Sequence, residues 1–169
     1  EALLELGRAG LVRATPGRST VVAPLDTRSV RNAQAVVAAM HALAVRDAAP
    51  RLRAGDVDRM RAANAAFAKA QRAGDVDGAL RADEQFHAVA VDACGNDAVR
   101  SVIAQYEPVL RRAERLRFAS GEGEESIARH ERLIDLLAAG DADGAARVAE
   151  QTWQTLTIDT PTPDEGTPA

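Results

Sequence analysis

From about Asp26 onward the apolar positions recur at helical spacing, as in the stripes Val76, Leu80, Ala90 and Cys94 or Ile127, Ile134 and Leu137. The stripes are punctuated by a repeated pair, Gly followed by Asp, at Gly55-Asp56, Gly74-Asp75 and Gly140-Asp141. Glycine accommodates the left-handed residue past a helix end, and aspartate accepts from the unpaired N–H groups of the next first turn, so each pair is expected to end one helix and begin another. The intervals between pairs are unequal, which indicates turn chemistry and not a solenoid repeat. With two further breaks at Gly95-Asn96 and at 121–125, the pattern predicts six helices over 27–49, 56–72, 75–93, 96–118, 124–139 and 141–157. Pro108 falls inside the fourth and is expected to kink it. Residues 1–23 follow another pattern: a helix end at Glu1 to Leu6, a stop at Gly10, and two β-prone runs, Leu11 to Ala14 and Thr20 to Ala23, around a Pro16-Gly17-Arg18-Ser19 turn. The expected architecture is an all-α, antiparallel bundle of about six helices behind a small β-hairpin. Segment boundaries are expected at 1–24, 25–158 and 159–169, the last a Thr-, Pro- and Gly-containing tail with nothing to bury and expected to be disordered.

Composition agrees with packed helices. The 169 residues are 46% hydrophobic but only 3% aromatic, so the core must come from Ala, Leu, Val and Ile. One cysteine, Cys94, allows no internal disulfide, and no apolar run approaches the roughly 18 residues a membrane span needs. A cytoplasmic location is expected, although the sequence begins at Glu1 and leaves any preceding segment open. The net charge of −4 argues against a broad nucleic-acid surface, so any DNA contact must be local. The hairpin is locally basic: Arg13, Arg18 and Thr20 are candidates for phosphate or minor-groove contacts, or belong to a solvated hairpin.

Three ionisable residues interrupt apolar stripes. Asp83 and His87 lie four apart on the third helix and share one face, and His130 interrupts the stripe of the fifth. Burying a carboxylate and two imidazoles is costly unless they are paired, and a divalent cation between them would remove that cost. Such donors suit zinc, nickel, manganese or iron. The alternative is an Asp–His hydrogen bond without metal. His41 is a candidate for a ligand pocket or else a partly exposed helix residue. Arg111, Arg112, Arg115 and Arg117 read as a solvated face, with Arg112 the candidate to turn inward and grip a carboxylate. Tyr106 and Trp153 fall on apolar stripes and are expected in the core, with lining of an effector pocket as the second role.

The residues Glu1-Ala2-Leu3, Leu6, Gly10-Leu11-Val12 and 17–23 resemble the end of the recognition helix and the wing of GntR-family regulators, with Ser19 where a second glycine usually stands. Asp83-Glu84-Gln85-Phe86-His87, Gly95-Asn96, and His130 with Leu133, Ile134 and Gly140-Asp141 resemble the FCD effector domain of the FadR subfamily. That resemblance implies a dimerising helical domain that binds small organic acids in a central cavity, often beside a divalent metal held by one Asp and three His. Asp83, His87 and His130 match three of those ligands, while Thr152 stands where the fourth histidine is expected and Val36 where a family arginine is common. It further implies a transcriptional regulator, not an enzyme, in which a homodimer carries paired wings to a palindromic operator and effector binding biases their spacing. Two other readings remain at this point: a metal-dependent enzyme using an open Asp/His/His site, and a structural dimerisation module with a collapsed pocket.

Overall fold

The computed structural model describes residues 3, 7, 11–15, 19–23, 26–121 and 123–155. Among the described residues a two-stranded hairpin, β1 (Val12–Ala14) and β2 (Thr20–Val22), precedes six helices: α1 (Thr27–Ala48), α2 (Ala54–Ala73), α3 (Val76–Cys94), α4 (Asp97–Ala119), α5 (Glu124–Ala138) and α6 (Ala142–Gln154). The all-helical bundle behind a hairpin is therefore the observed architecture. Leu3 and Gly7 are helical. The expected turn at 16–18, with Arg18, and the tail from 159 lie outside the described residues.

Two of the three Gly-Asp pairs do what their chemistry dictates. Gly74 and Gly140 close α2 and α5 in the left-handed region, at φ 67° and 76°. Asp75 and Asp141 then cap α3 and α6, each accepting from the backbone N–H three residues on, Gly78 and Gly144, at 2.8 Å. The third pair behaves otherwise: Gly55 lies within the first turn of α2, and Asp56 accepts from the Arg53 N–H at 2.9 Å. The break expected there falls at 49–53, where Pro50 follows the end of α1 and cannot continue it. Helix α4 is continuous across Pro108. Because proline has no N–H, the Ala104 carbonyl loses its helical donor.

Helix α3 is central: it packs on α1, α2 and α4, while α6 lies along α1 and α5 bridges α2 and α6. The largest apolar cluster joins Val45, Met60, Phe86, Leu133, Ile134 and Leu137, with Ala44, Ala48, Ala145 and Ala149 letting the helices close on one another. A second joins Val30 and Val37 of α1 to Leu110 and Ala113 of α4, and a third gathers Phe67, Leu80 and Phe118. The core is thus aliphatic, as the composition requires. No helix among the described residues is long and apolar enough to cross a membrane.

The hairpin is antiparallel, pairing Val12 with Val22, Arg13 with Val21 and Ala14 with Thr20. Its exit is tied down at Ala23, whose N–H donates to the Leu11 carbonyl at 2.8 Å and whose carbonyl accepts from Arg112 of α4 at 2.6 Å.

Phe67 is fully buried and meets Phe118 edge-on, ring centroids 5.1 Å apart. Phe67→Ala should cost about 3–5 kcal/mol in urea unfolding, from lost transfer energy and the cavity left behind. A loss under about 1 kcal/mol would show that the site collapses freely and that this cluster does not hold α2 to α4.

Candidate functional site

The apolar clusters close around a polar centre. Helical spacing turns Asp83 and His87 of α3 to one side, and α5 brings His130 to meet them. His130 Nε2 lies 3.5 Å from Asp83 Oδ1, and His87 Nε2 lies 3.7 Å from Asp83 Oδ2. These distances are longer than hydrogen bonds. One donor atom from each of the three residues falls within 4.8 Å of the other two, and all three residues are buried. Burial holds His130 well below the ordinary imidazole value, an effect reinforced by His87 and by the Arg117 and Arg129 charges. Burial also lowers His87 against the opposing pull of Asp83. Asp83 is pushed upward by burial, with His87, Arg117 and Arg111 acting in the other direction. The centre therefore presents neutral imidazoles to a carboxyl group in a poorly solvated setting.

A fourth side chain, which the sequence reading passed over, decides how His130 is protonated. Asn64 of α2 donates through Nδ2 to the Ile127 carbonyl at 3.3 Å, which orients its amide. Its Oδ1 then faces His130 Nδ1 at 3.0 Å. An amide oxygen only accepts, so the imidazole proton resides on Nδ1 and Nε2 keeps a lone pair directed at Asp83. His130 Nε2 has no hydrogen-bond partner although it is buried. The ring is held further by stacking on Phe86, with centroids 3.9 Å apart at 20°. An orphaned imidazole nitrogen whose other nitrogen is anchored by a buried amide is the arrangement that metal-ligating histidines show. The donors present fit a divalent metal. The signal for Asn64 was an amide on the buried face of α2, between Ala63 and Phe67.

Asp83 and His87 also form one wall of a cavity of about 170 Å3 bounded by α1, α3, α4 and α6. His41 lies on its α1 side, fully packed, and stacks on Trp153 of α6 with ring centroids 4.7 Å apart at 12°. Two of the four candidates for an effector pocket, His41 and Trp153, thus line the same cavity. Burial, then the neighbouring His87, holds His41 well below the ordinary imidazole value. Trp153 Nε1 is buried without a hydrogen-bond partner.

The structure places two other candidates away from this cavity. Arg112 turns to the hairpin, where it holds the Ala23 carbonyl, and Tyr106 packs on the cluster of Val30, Val37 and Leu110. The arginine of the run that lines the cavity is Arg111, paired with Glu84 at 2.7 Å and with Glu107 at 3.5 Å. One residue along a helix is a rotation of about 100°, enough to exchange the two roles. The Thr152 hydroxyl donates to the Val148 carbonyl of its own helix at 2.8 Å. It borders a cleft of about 20 Å3 shared with Asp83, His87 and Glu114, large enough for one water. Glu114 also lines the main cavity, a role the sequence reading did not assign. Of the hairpin candidates, Arg13 and Thr20 are exposed on the strands and Arg18 lies outside the described residues.

Fold and site together are those of a helical bundle with a cavity, open to one side, whose largely apolar wall is broken by acids, arginines and histidines. The FCD domain model matches residues 32–155, and the chain belongs to the FCD domain family. No curated protein matches it. Among solved structures it resembles McbR/YncC of E. coli, with a TM-score of 0.81 at 18% identity over 90% of this chain and 78% of that one. It also resembles Lar, which controls the expression of the Listeria monocytogenes agr system and mediates virulence (TM-score 0.67, 16% identity, 92% and 74% covered). A transcriptional regulator of the GntR family from Pseudomonas syringae pv. tomato aligns with a TM-score of 0.60 at 23% identity, over 90% of this chain and 63% of that one. These likenesses establish a shared fold.

Two measurements follow from this geometry. Asn64→Ala frees His130 to rotate and to change tautomer, so zinc affinity by titration calorimetry should fall about 10–100-fold while the helical circular dichroism is retained. An unchanged affinity would remove Asn64 from the centre. For His41, the neutral form is favoured in the fold, so its contribution is complete above about pH 6.5 and is lost as pH falls below the unfolded value. In chelator-treated protein, the stability advantage of wild type over His41→Leu should therefore shrink between pH 7 and 5 in urea titrations. A constant or growing advantage would mean that His41 does not titrate out of a buried neutral state.

Proposed function

We propose that this chain is the sensing part of a GntR-type transcriptional regulator, a ligand-responsive domain behind the last segment of a winged DNA-binding domain. In this reading residues 1–24 end the DNA-binding domain, 25–158 form the effector and dimerisation domain, and 159–169 are a tail. The observation that carries it is the open Asp83, His87 and His130 donor set on the wall of a cavity of about 170 Å3, inside an FCD domain. Asp83, His87 and His130 would hold a divalent ion such as zinc, nickel, manganese or iron. Such an ion supplies a Lewis-acidic centre to which a small carboxylate can bind. The chain's own residues shape the rest of the site: His41 and Trp153 form a stacked aromatic wall, Asn64 fixes the His130 tautomer, and Arg111 braces the α3–α4 side through Glu84. Thr152, with its hydroxyl engaged by Val148, leaves a position beside the donors for effector or water.

Signal transfer has a short path. Arg111 and Arg112 are successive residues of α4: one lines the cavity and the next holds the Ala23 carbonyl at the exit of the hairpin. A ligand that favours one position of α4 therefore favours one position of the wing, and the bias on DNA is the difference between its affinities for the two arrangements. Arg13, Arg18 and Thr20 would meet the operator backbone or minor groove, with a homodimer presenting two wings to a palindromic site in the cytoplasm.

Elemental analysis tests the reading directly. Protein purified without chelator should carry about one divalent ion per chain, His87→Ala should carry far less, and Thr152→His, which adds a fourth imidazole, should bind zinc about 10-fold more tightly or better. If wild type and His87→Ala are equally metal-free, the metal part of the proposal is wrong and the polar cluster meets the effector without an ion.

A further inference from the structure

The cavity is divided along its length. Helices α3 and α4 run antiparallel, and three ion pairs mark their register: Asp77 with Arg115, Glu84 with Arg111 at 2.7 Å, and Asp92 with Arg100 at 2.6 Å. His87 falls between the second and third of these rungs, opposite Glu107. His41 and Trp153 stand at its level, with ring centroids 5.2 and 5.3 Å from its own. On the side toward Glu84 the wall carries Asp83 and Glu114, which with His87 also border the small cleft beside Thr152. Polar groups therefore collect at that end. On the side toward Asp92 the two helices contribute Ala88, Val91, Ile103 and Ala104, with no polar side chain between the level of His87 and the closing Arg100.

The charged groups around the mouth do not fill that gap. Arg100 holds Asp92, and Arg111 holds Glu84 and lies 3.5 Å from Glu107, all with side chains 35–53% exposed. Val91, by contrast, is buried, and Ala88 and Ile103 are half-buried. The side chains of this half offer apolar contact and no replacement for the water around a hydroxyl.

We infer that the effector is a compact apolar monocarboxylate, its carboxylate at the Asp83, His87 and His130 end and its hydrocarbon body against Ala88, Val91, Ile103 and Ala104, an assignment that rests on the reading of this cavity as the effector site. Its dimensions set the size. His87 and Val91 are one turn apart, about 6 Å along the helix, so the body is a phenyl ring or a short branched chain and not an extended fatty chain. The volume of about 170 Å3 agrees, since an apolar cavity of about 150 Å3 holds benzene. Each methylene buried there raises affinity roughly fourfold. A hydroxyl carried into the same space gives up water without finding a side-chain partner, and so weakens binding.

Titration calorimetry on zinc-loaded protein, with metal content measured afterwards, compares acetate, 4-methylpentanoate, benzoate, octanoate and gluconate, the last matching 4-methylpentanoate in carbon number. The better of 4-methylpentanoate and benzoate should bind at least about 10-fold more tightly than acetate and than gluconate. Octanoate should gain less than about threefold over 4-methylpentanoate, and a larger gain would overturn the size limit. Ala104→Leu, which fills the apolar half from an exposed position on α4, should cut the preference over acetate to about threefold or less while acetate and zinc affinities stay unchanged. A preference above threefold in that variant would overturn the placement of the body. Because all five acids are compared in wild type, a poorly folded variant leaves the main test intact. If gluconate binds as well as the apolar acids, or acetate comes within 10-fold of both, the apolar body is wrong and the effector site stands. If none of the five binds, the effector reading falls and the apolar acid falls with it.

Discussion

The structure turns on the burial of a carboxyl group and three imidazoles inside a bundle of mostly aliphatic helices. Such groups are tolerated only if each is neutral, paired or bound to something. His41 meets the condition by staying neutral against the indole of Trp153, and His130 meets it at one nitrogen through Asn64. Its other nitrogen, 3.5 Å from Asp83 Oδ1, is left without a hydrogen-bond partner. Helix α3 brings the acid and one imidazole, α5 another, α2 the amide that orients it, and α1 and α6 the aromatic wall. A fully apolar replacement would pack at least as well, so the polar centre is better explained by binding than by stability.

Much of this was legible in the chain because its signals are local. Glycine past a helix end and aspartate at the next cap are decided within four residues, and Gly74-Asp75 and Gly140-Asp141 behave accordingly. Asp83 and His87 share a face because they are one turn apart, and their interruption of an apolar stripe marks them as inward. Gly55-Asp56 shows the limit of the same rule. The pair is identical in kind, yet Pro50 had already stopped α1, so Gly55 entered the next helix instead of closing the last.

What was not legible depends on contacts distant in sequence or on phase along a helix. Asn64 and His130 are 66 residues apart, and nothing local marks an asparagine on α2 as the partner of an imidazole on α5. Glu114 was hidden by its setting, a lone acid among Arg111, Arg112, Arg115 and Arg117 that reads as part of a solvated, charged face. The structure divides that run by direction. Arg111 lines the cavity, Arg112 holds the hairpin, Arg115 pairs with Asp77, and Arg117 is buried beside Ser126. Counting charges in the segment could not recover that division, because successive residues differ by about 100° of helical rotation.

In the proposed reading, the same division makes α4 the element through which occupancy and output meet. Glu107, Arg111 and Glu114 line the cavity, and Arg112, about 100° round the helix from Arg111, carries the tie to Ala23. Pro108 interrupts the backbone hydrogen bonding between these features, and a helix missing one such bond deforms more readily there than elsewhere. Glu107 and Glu114 of the cavity wall stand on either side of that point, and Arg112 holds the hairpin from the same helix. In the proposed reading, binding and wing position are coupled through one helix and the Arg112–Ala23 hydrogen bond.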